Sequence, residues 1–415
     1  MKEIYYLPIK YSLAFLVITE LLIWVGPVNY EITNPLMLIS YLIIVNVALY
    51  LGFNKGIKKA KVSSFSMTLQ TVNLLILIGF FVNIYTMRIK WATHGRSVTF
   101  ENLVSALLDP GNAYYREGEI AINTQAAFIY VIIGPLQWAA IPLGIYYWKK
   151  LSRFFRFIVV GTCIITVMTW LGIGTRKGLF DLIITIAFLF VSKNPEKIIN
   201  NQTKRRIKLY ALLFIIAFLF FFVFSNLSRG GRSLSDISDI SLNSINPWYR
   251  KHLPIGLLVA LTQITNYLCG GYRLLSLGLR EGIITPTIMG VGYGTANYSI
   301  RLFGYNPIPY TYMQLIQDKF GFDKYQCWHT IYLWLANDFT FVFVPVVIFI
   351  IGYYFARVWA DCIYGKNPLA YPVLAYMIVM VFYFFANNQV ISFSLESFVG
   401  CVFVYEVSRF SRNIV

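Results

Sequence analysis

Apolar runs about as long as a bilayer is thick alternate with short basic or polar connections along nearly the whole chain. A helix needs about 20 apolar residues to cross a membrane. By that measure the pattern predicts an all-α polytopic membrane protein, one integral domain over 1–415, with ten spans. They lie at 10–28, 35–53, 65–86, 127–148, 157–173, 178–192, 209–226, 335–356, 369–386 and 394–408. KGIKKAK, KKLSRFFR and the Lys/Arg-rich linker 193–208 follow the second, fourth and sixth spans, Arg357 and Lys366 the eighth, and Arg409 and Arg412 the tenth. Cytoplasmic loops gather Lys and Arg, so these connections and both termini are expected in the cytoplasm.

The segment 253–279, LPIGLLVALTQITNYLCGGYRLLSLGL, is long enough to count as a further crossing. Counting it would move the four later cations outside, so it is expected to be a buried or interfacial helix within a long extracytoplasmic loop, about 227–334. Leu257, Leu261, Ile264 and Leu268 share one face of such a helix, and Gln263, Asn266, Gly270 and Arg273 follow one another on the opposite face, with Tyr267 beside them. A helix with one polar face lines something, and Gln263, Asn266 and Tyr267 are the candidates to hold a ligand there. A second outer loop, about 87–126, carries Arg88, Lys90, His94, Arg96 and Arg116.

Composition narrows the picture. A chain of 415 residues with 58% hydrophobic and only 13% charged residues is too apolar for a soluble protein. Its formal charge of +17 is spread through short loops, which fits positive-inside topology and anionic ligands better than nucleic acid. The cysteines form no CxxC or Cys/His ligand spacing, so no metal site is expected. Cys269 and Cys327, both in the long outer loop, are expected as free thiols, with a pairing between them as the alternative. The first apolar run carries Glu20 and no small-x-small cleavage site, so it is expected to be a retained span.

Candidate chemistry collects on the outer side. GIGTRKG joins the fifth and sixth spans so tightly that Arg176 and Lys177 fall at the membrane boundary. Asp181, one turn after Lys177, can neutralise it. Arg176 then either snorkels or binds an anion. LSRGGRS sets Arg229 and Arg232 around a Gly-Gly pair, an arrangement that suits phosphate oxygens unless both arginines pair with Asp236 and Asp239. Cations beside aromatics, as in PWYRKH and GYRLL, suit a phosphorylated glycan.

The three histidines, His94, His252 and His329, all lie on this side and are candidate bases. Asp338 in LANDF is the best carboxylate alternative, with Glu396 a weaker one. GVGYGTANY imitates a nucleotide loop, but no strand precedes it.

GTRKG opening a span, SRGGR just after a span, YLCGGYRLLS in a long outer loop and WHTIYLWLANDFTFVFVPVVIFIIGYY leading into a late helix together resemble the O-antigen (Wzy-type) repeat-unit polymerases of bacterial surface polysaccharide pathways. One departure is that the Gly often following Asp-Phe in the family is Thr340 here. The resemblance implies a bacterial cytoplasmic membrane protein that transfers a growing glycan from one undecaprenyl pyrophosphate carrier to a repeat unit on another, outside the membrane. No metal or nucleotide cofactor is implied; membrane lipid, a chain-length regulator and a flippase are the implied partners. Arg176, Arg229, Arg232 and Arg273 would then stabilise the pyrophosphate leaving group. His329, then His252 and Asp338, would serve as base. An O-antigen ligase uses the same donor, and a flippase the same lipid-linked unit, so both remain open.

Overall fold

The computed structural model describes residues 2–109, 113, 124–175, 177–193, 244–282, 296–325, 327–365, 367–388, 390–391 and 394–410. After a short turn at Lys2–Tyr5, the described helices are α1 (Leu7–Val25), α2 (Pro35–Lys58), α3 (Leu69–Thr93), α4 (Phe100–Leu108), α5 (Thr124–Tyr147), α6 (Arg153–Leu171) and α7 (Lys177–Lys193). They continue with α8 (Pro247–His252), α9 (Ile255–Arg280), α10 (Ala296–Phe303), α11 (Tyr312–Phe320), α12 (Ile331–Ala360), α13 (Ala370–Phe382) and α14 (Leu395–Phe410). The described residues are all-α, apart from an isolated antiparallel bridge between Val28 and Ile245. Among the described residues five stretches, Leu7–Val25, Pro35–Lys58, Leu69–Ala92, Arg153–Leu171 and Ile331–Gly365, are long and apolar enough to cross a membrane. The predicted span 209–226 lies outside the described residues.

Helix starts follow local chemistry. Asn34 caps α2 by accepting from the Met37 N–H, with Pro35 at the first position, and Thr68 caps α3 by accepting from the Thr71 N–H. The predicted eighth span begins earlier than expected, since α12 opens at Ile331. Asp338 therefore lies two turns inside that helix instead of at its start. Pro345 cannot donate to the carbonyl of Phe341 four residues back, and the hydroxyl of Tyr41 donates to that oxygen at 3.2 Å.

The chain forms two compact units. The first comprises 1–60, 231–357 and 380–393, and contains α1, α2, α8 to α11 and most of α12. In it α9 packs on α1, α2 and α11. Its buried side is Leu258, Thr262, Thr265, Cys269, Tyr272 and Ser276, whereas Leu257 is exposed and Leu261, Ile264 and Leu268 are half-buried. The expected leucine stripe is thus not the face that packs. Small and weakly polar residues share that side with Leu258 and Tyr272, and such residues are common at helix interfaces in membranes. Tyr272 and Thr19 share a hydrogen bond between hydroxyls at 2.9 Å, and the Cys269 thiol donates to the Thr19 carbonyl at 3.4 Å. Cys269 and Cys327 are both buried free thiols.

The second unit comprises 61–230, 358–379 and 394–415. Here α3, α5 and α6 pack together through Val72, Ile76, Tyr147, Leu151, Ile158 and Val159, and α14 lies along α5. Asn83 ties the three helices by donating to the carbonyls of Gly79 and Gln137 at 2.8 and 2.9 Å and accepting from the Thr166 hydroxyl at 3.4 Å.

Candidate functional site

In the first unit, α9 presents a half-buried row of Gln263, Asn266, Tyr267, Gly270 and Arg273. The row is positioned by a close backbone approach at Gly271. A Cβ there would lie 2.4 Å from the Phe385 carbonyl oxygen and 3.2 Å from backbone atoms of His329 and Thr330. Only glycine lets the helix come this near, which gives the second Gly of YLCGGYRLLS a packing role.

The two segments that meet α9 are fastened to each other. The Asn387 side-chain oxygen accepts from the His329 N–H at 2.7 Å, the Asn387 N–H donates to the His329 carbonyl at 2.7 Å, and the Ile331 N–H donates to the Phe384 carbonyl at 2.9 Å. This double clamp fixes Trp328 and Phe385 beside α9. Tyr267 packs edge-on against Trp328, with ring centroids 4.7 Å apart, and against Phe385 at 6.2 Å.

Arg273 lies over the face of Phe322, 4.6 Å from the ring centroid, and Tyr30 donates from its hydroxyl to the Asn266 side-chain oxygen at 3.5 Å. Burial raises the Tyr30 phenol above its ordinary value, the Cys269 thiol adds to the rise, and Arg273 works the other way. Tyr30 therefore stays a neutral donor. The result is a guanidinium, an amide and several aromatic rings on one patch. Half-exposed aromatics offer faces for sugar rings, and a guanidinium offers paired donors to a phosphate.

The candidate bases part company. His329 is 1% exposed. Burial lowers its imidazole to about 4, with the hydrogen bond to Asn387 acting in the opposite direction, so it is neutral at pH 7. His252 is exposed at the end of α8, its ring stacked on Trp248 at 4.7 Å and its Nδ1 2.7 Å from the Trp248 carbonyl oxygen. Asp338 is half-buried on α12. The last turns of α9 pack against residues on either side of it, because a Cβ on Gly278 would meet Leu333 at 2.5 Å and Phe341 at 3.3 Å.

Of the expected phosphate ligands, Arg273 is in the patch, whereas Arg176, Arg229 and Arg232 lie outside the described residues. Among the described residues no group of three or more His, Cys, Asp or Glu could hold a metal ion. The residues that sequence reasoning missed are Trp328, Phe385 and Asn387. Aromatics are so common in this chain that only the fold singles these out. The chain matches no family model, no curated protein and no solved structure.

Proposed function

We propose that the chain is a membrane glycosyltransferase that polymerises undecaprenyl-pyrophosphate-linked repeat units into a surface polysaccharide. In this reading it spans the bacterial cytoplasmic membrane ten times with both termini inside, and the 227–334 loop faces outward. The observation that carries it is the patch on α9. Arg273 over Phe322, beside Tyr267, Trp328 and Asn266, joins a diphosphate ligand to glycan-binding surfaces within a few helical turns.

The chemistry is displacement at the anomeric carbon of the growing glycan by a hydroxyl of the incoming unit, which loses its proton to a base as undecaprenyl pyrophosphate leaves. Arg273 stabilises the negative charge that gathers on the leaving group. A base must touch the hydroxyl it deprotonates. Half-buried Asp338 meets that condition better than His329, which is closed off from solvent and holds the 328–331 segment in place.

The test is the surface-glycan ladder of cells lacking the gene, complemented with wild type, Arg273→Gln or Asp338→Asn at equal membrane expression. Deletion should leave a single repeat unit, and Arg273→Gln should lower polymer formation by about 100-fold, as loss of a charge-stabilising donor does. Loss of even the single unit on deletion, or a full ladder from the expressed Arg273→Gln protein, would overturn the proposal.

A further inference from the structure

The corner between α8 and α9, in the first unit, is shaped by local chemistry. Asn246 accepts from the Trp248 N–H at 3.0 Å and Pro247 takes the first helical position, so PWYRKH opens a helix. Pro254 ends it, because a residue that precedes proline is pushed out of the helical region, and Leu253 is extended with ψ 142°. The chain turns there and re-enters helix at Ile255.

Hydrogen bonds tie this corner to the end of α1. The Tyr249 hydroxyl donates to the Val25 carbonyl at 2.6 Å, the Asn246 N–H to the Pro27 carbonyl at 2.9 Å, and the Asn29 N–H to the Ser244 carbonyl at 2.7 Å. α1 is long and apolar enough to cross a membrane, and Ile18, Leu21, Trp24 and Val25 are exposed along it. Acyl chains are the solvent that suits those side chains. The corner fastened to Val25 therefore lies where acyl chains give way to headgroups, on whichever side of the membrane α1 ends. Trp and Tyr concentrate at that level, and Trp248 and Tyr249 both sit here.

The charge at this corner has one sign. Arg250 and Lys251 are exposed, neither forms an ion pair among the described residues, and the sequence carries no acid between Asp239 and Glu281. Beside them Trp248 is 59% and Ile255 65% exposed, and Leu257 is exposed as well. A free phosphate would leave that apolar rim in water, and a zwitterionic headgroup would bring its own cation against Arg250 and Lys251. Arg273 lies about 27 Å farther along α9 than Ile255, too far to act on the same ligand. We propose that Arg250 and Lys251, with Trp248 and the first turn of α9 as their apolar rim, form a headgroup site for an anionic phospholipid. The lipid phosphate meets the two cations, and its acyl chains cover Ile255 and Leu257.

The test is photocrosslinking from p-benzoylphenylalanine put in place of Ile255, in the purified full-length protein reconstituted into vesicles of mixed phosphatidylcholine and phosphatidylglycerol. Captured lipid is identified by mass spectrometry, and thermal melting checks folding. Phosphatidylglycerol should be captured well above its share of the vesicle. Arg250→Gln/Lys251→Gln should lower that capture about 30-fold, the ratio expected for two cations at an anionic surface, and Arg250→Lys/Lys251→Arg should keep it.

A double-Gln protein that melts normally and captures phosphatidylglycerol undiminished would overturn the site. Capture in proportion to the vesicle's own composition would overturn the anionic assignment, and capture of neither lipid would overturn the placement at the membrane surface. Displacement of phosphatidylglycerol by an equal amount of farnesyl diphosphate would overturn the phospholipid assignment in favour of a carrier diphosphate. No polymer is measured, so the outcome is independent of the ladder experiment.

Discussion

Two charged clusters of the second unit are built in opposite ways. Around Asp361, which is 0% exposed, both carboxylate oxygens accept from donors of the protein. One carboxylate oxygen accepts from the Ser63 N–H at 2.9 Å, and the other accepts from the hydroxyls of Ser63 and Tyr405, both at 2.6 Å, and from Arg409. Arg409 also donates to the Lys61 carbonyl at 2.8 Å, and Asn367 donates to the hydroxyls of Ser63 and Ser408 at 3.2 and 3.1 Å. Around Trp170, by contrast, two ammonium groups converge on one ring. The first cluster uses its charge to fasten three separate segments, whereas the second rests two cations, Lys90 and Lys177, on one aromatic ring beside Asp181. A buried charge met by donors from several segments is a fastener, whereas a cation on a ring face leans on that ring and on whatever ion pair it has.

The largest test of this contrast is Asp361→Ala. It leaves Arg409 without its buried carboxylate, and removing one partner of such a pair costs about 3–5 kcal/mol. Melting of the purified protein should fall by many degrees, while Lys90→Gln, which removes one of two cations resting on a single ring, should lower it far less. If the two variants lost equal stability, the contrast between the two clusters would collapse.

His329 supplies the next test, through pH. Its imidazole is lowered from an ordinary 6.5 to about 4 by burial. Between those values the unfolded chain takes up a proton that the folded chain refuses, so stability is full above about pH 6.5 and is lost as pH falls toward 4. The shift corresponds to about 3 kcal/mol. Melting temperatures measured from pH 7.5 to 4.5 should drop on the acid side for wild type and much less for His329→Gln. An unchanged acid drop in the variant would assign the sensitivity to another group.

The sequence disclosed the helices because a bilayer demands long apolar runs, and 253–279 was legible as the helix now bounded at Ile255–Arg280. Its packing face was not legible. A hydrophobicity pattern selects Leu257, Leu261, Ile264 and Leu268, but the buried side carries Thr262, Thr265, Cys269 and Ser276 beside Leu258 and Tyr272. Gln263, Asn266, Tyr267 and Arg273 were legible as one row of a helix, and the structure puts aromatic partners beside that row. His329 was nominated for its chemistry, yet burial depends on Asn387 and Gly271, far away in sequence. For the same reason the pairing of Lys90 with Trp170 could not be read from either local segment.

The smallest expected effect concerns a single backbone angle. Thr340 interrupts α12 with φ 56° and ψ 159°, a region that is essentially reserved for glycine, and a β-branched side chain there is strained by about 1–3 kcal/mol. The family that the sequence resembles often carries Gly here, the residue to which this backbone conformation is least costly. Thr340→Gly should relieve the strain, and because glycine also frees the unfolded chain by roughly 0.5–1 kcal/mol, the net gain should be about 1 kcal/mol. Thr340→Ala keeps a Cβ in the same conformation and should give little or none of it. A rise in melting temperature for Gly but not for Ala would show that the kink beside Asp338 is held against the preference of its own residue. A fall for Gly would mean that the threonine side chain stabilises the kink by more than its backbone costs, and Asp338 would then owe its placement to that contact.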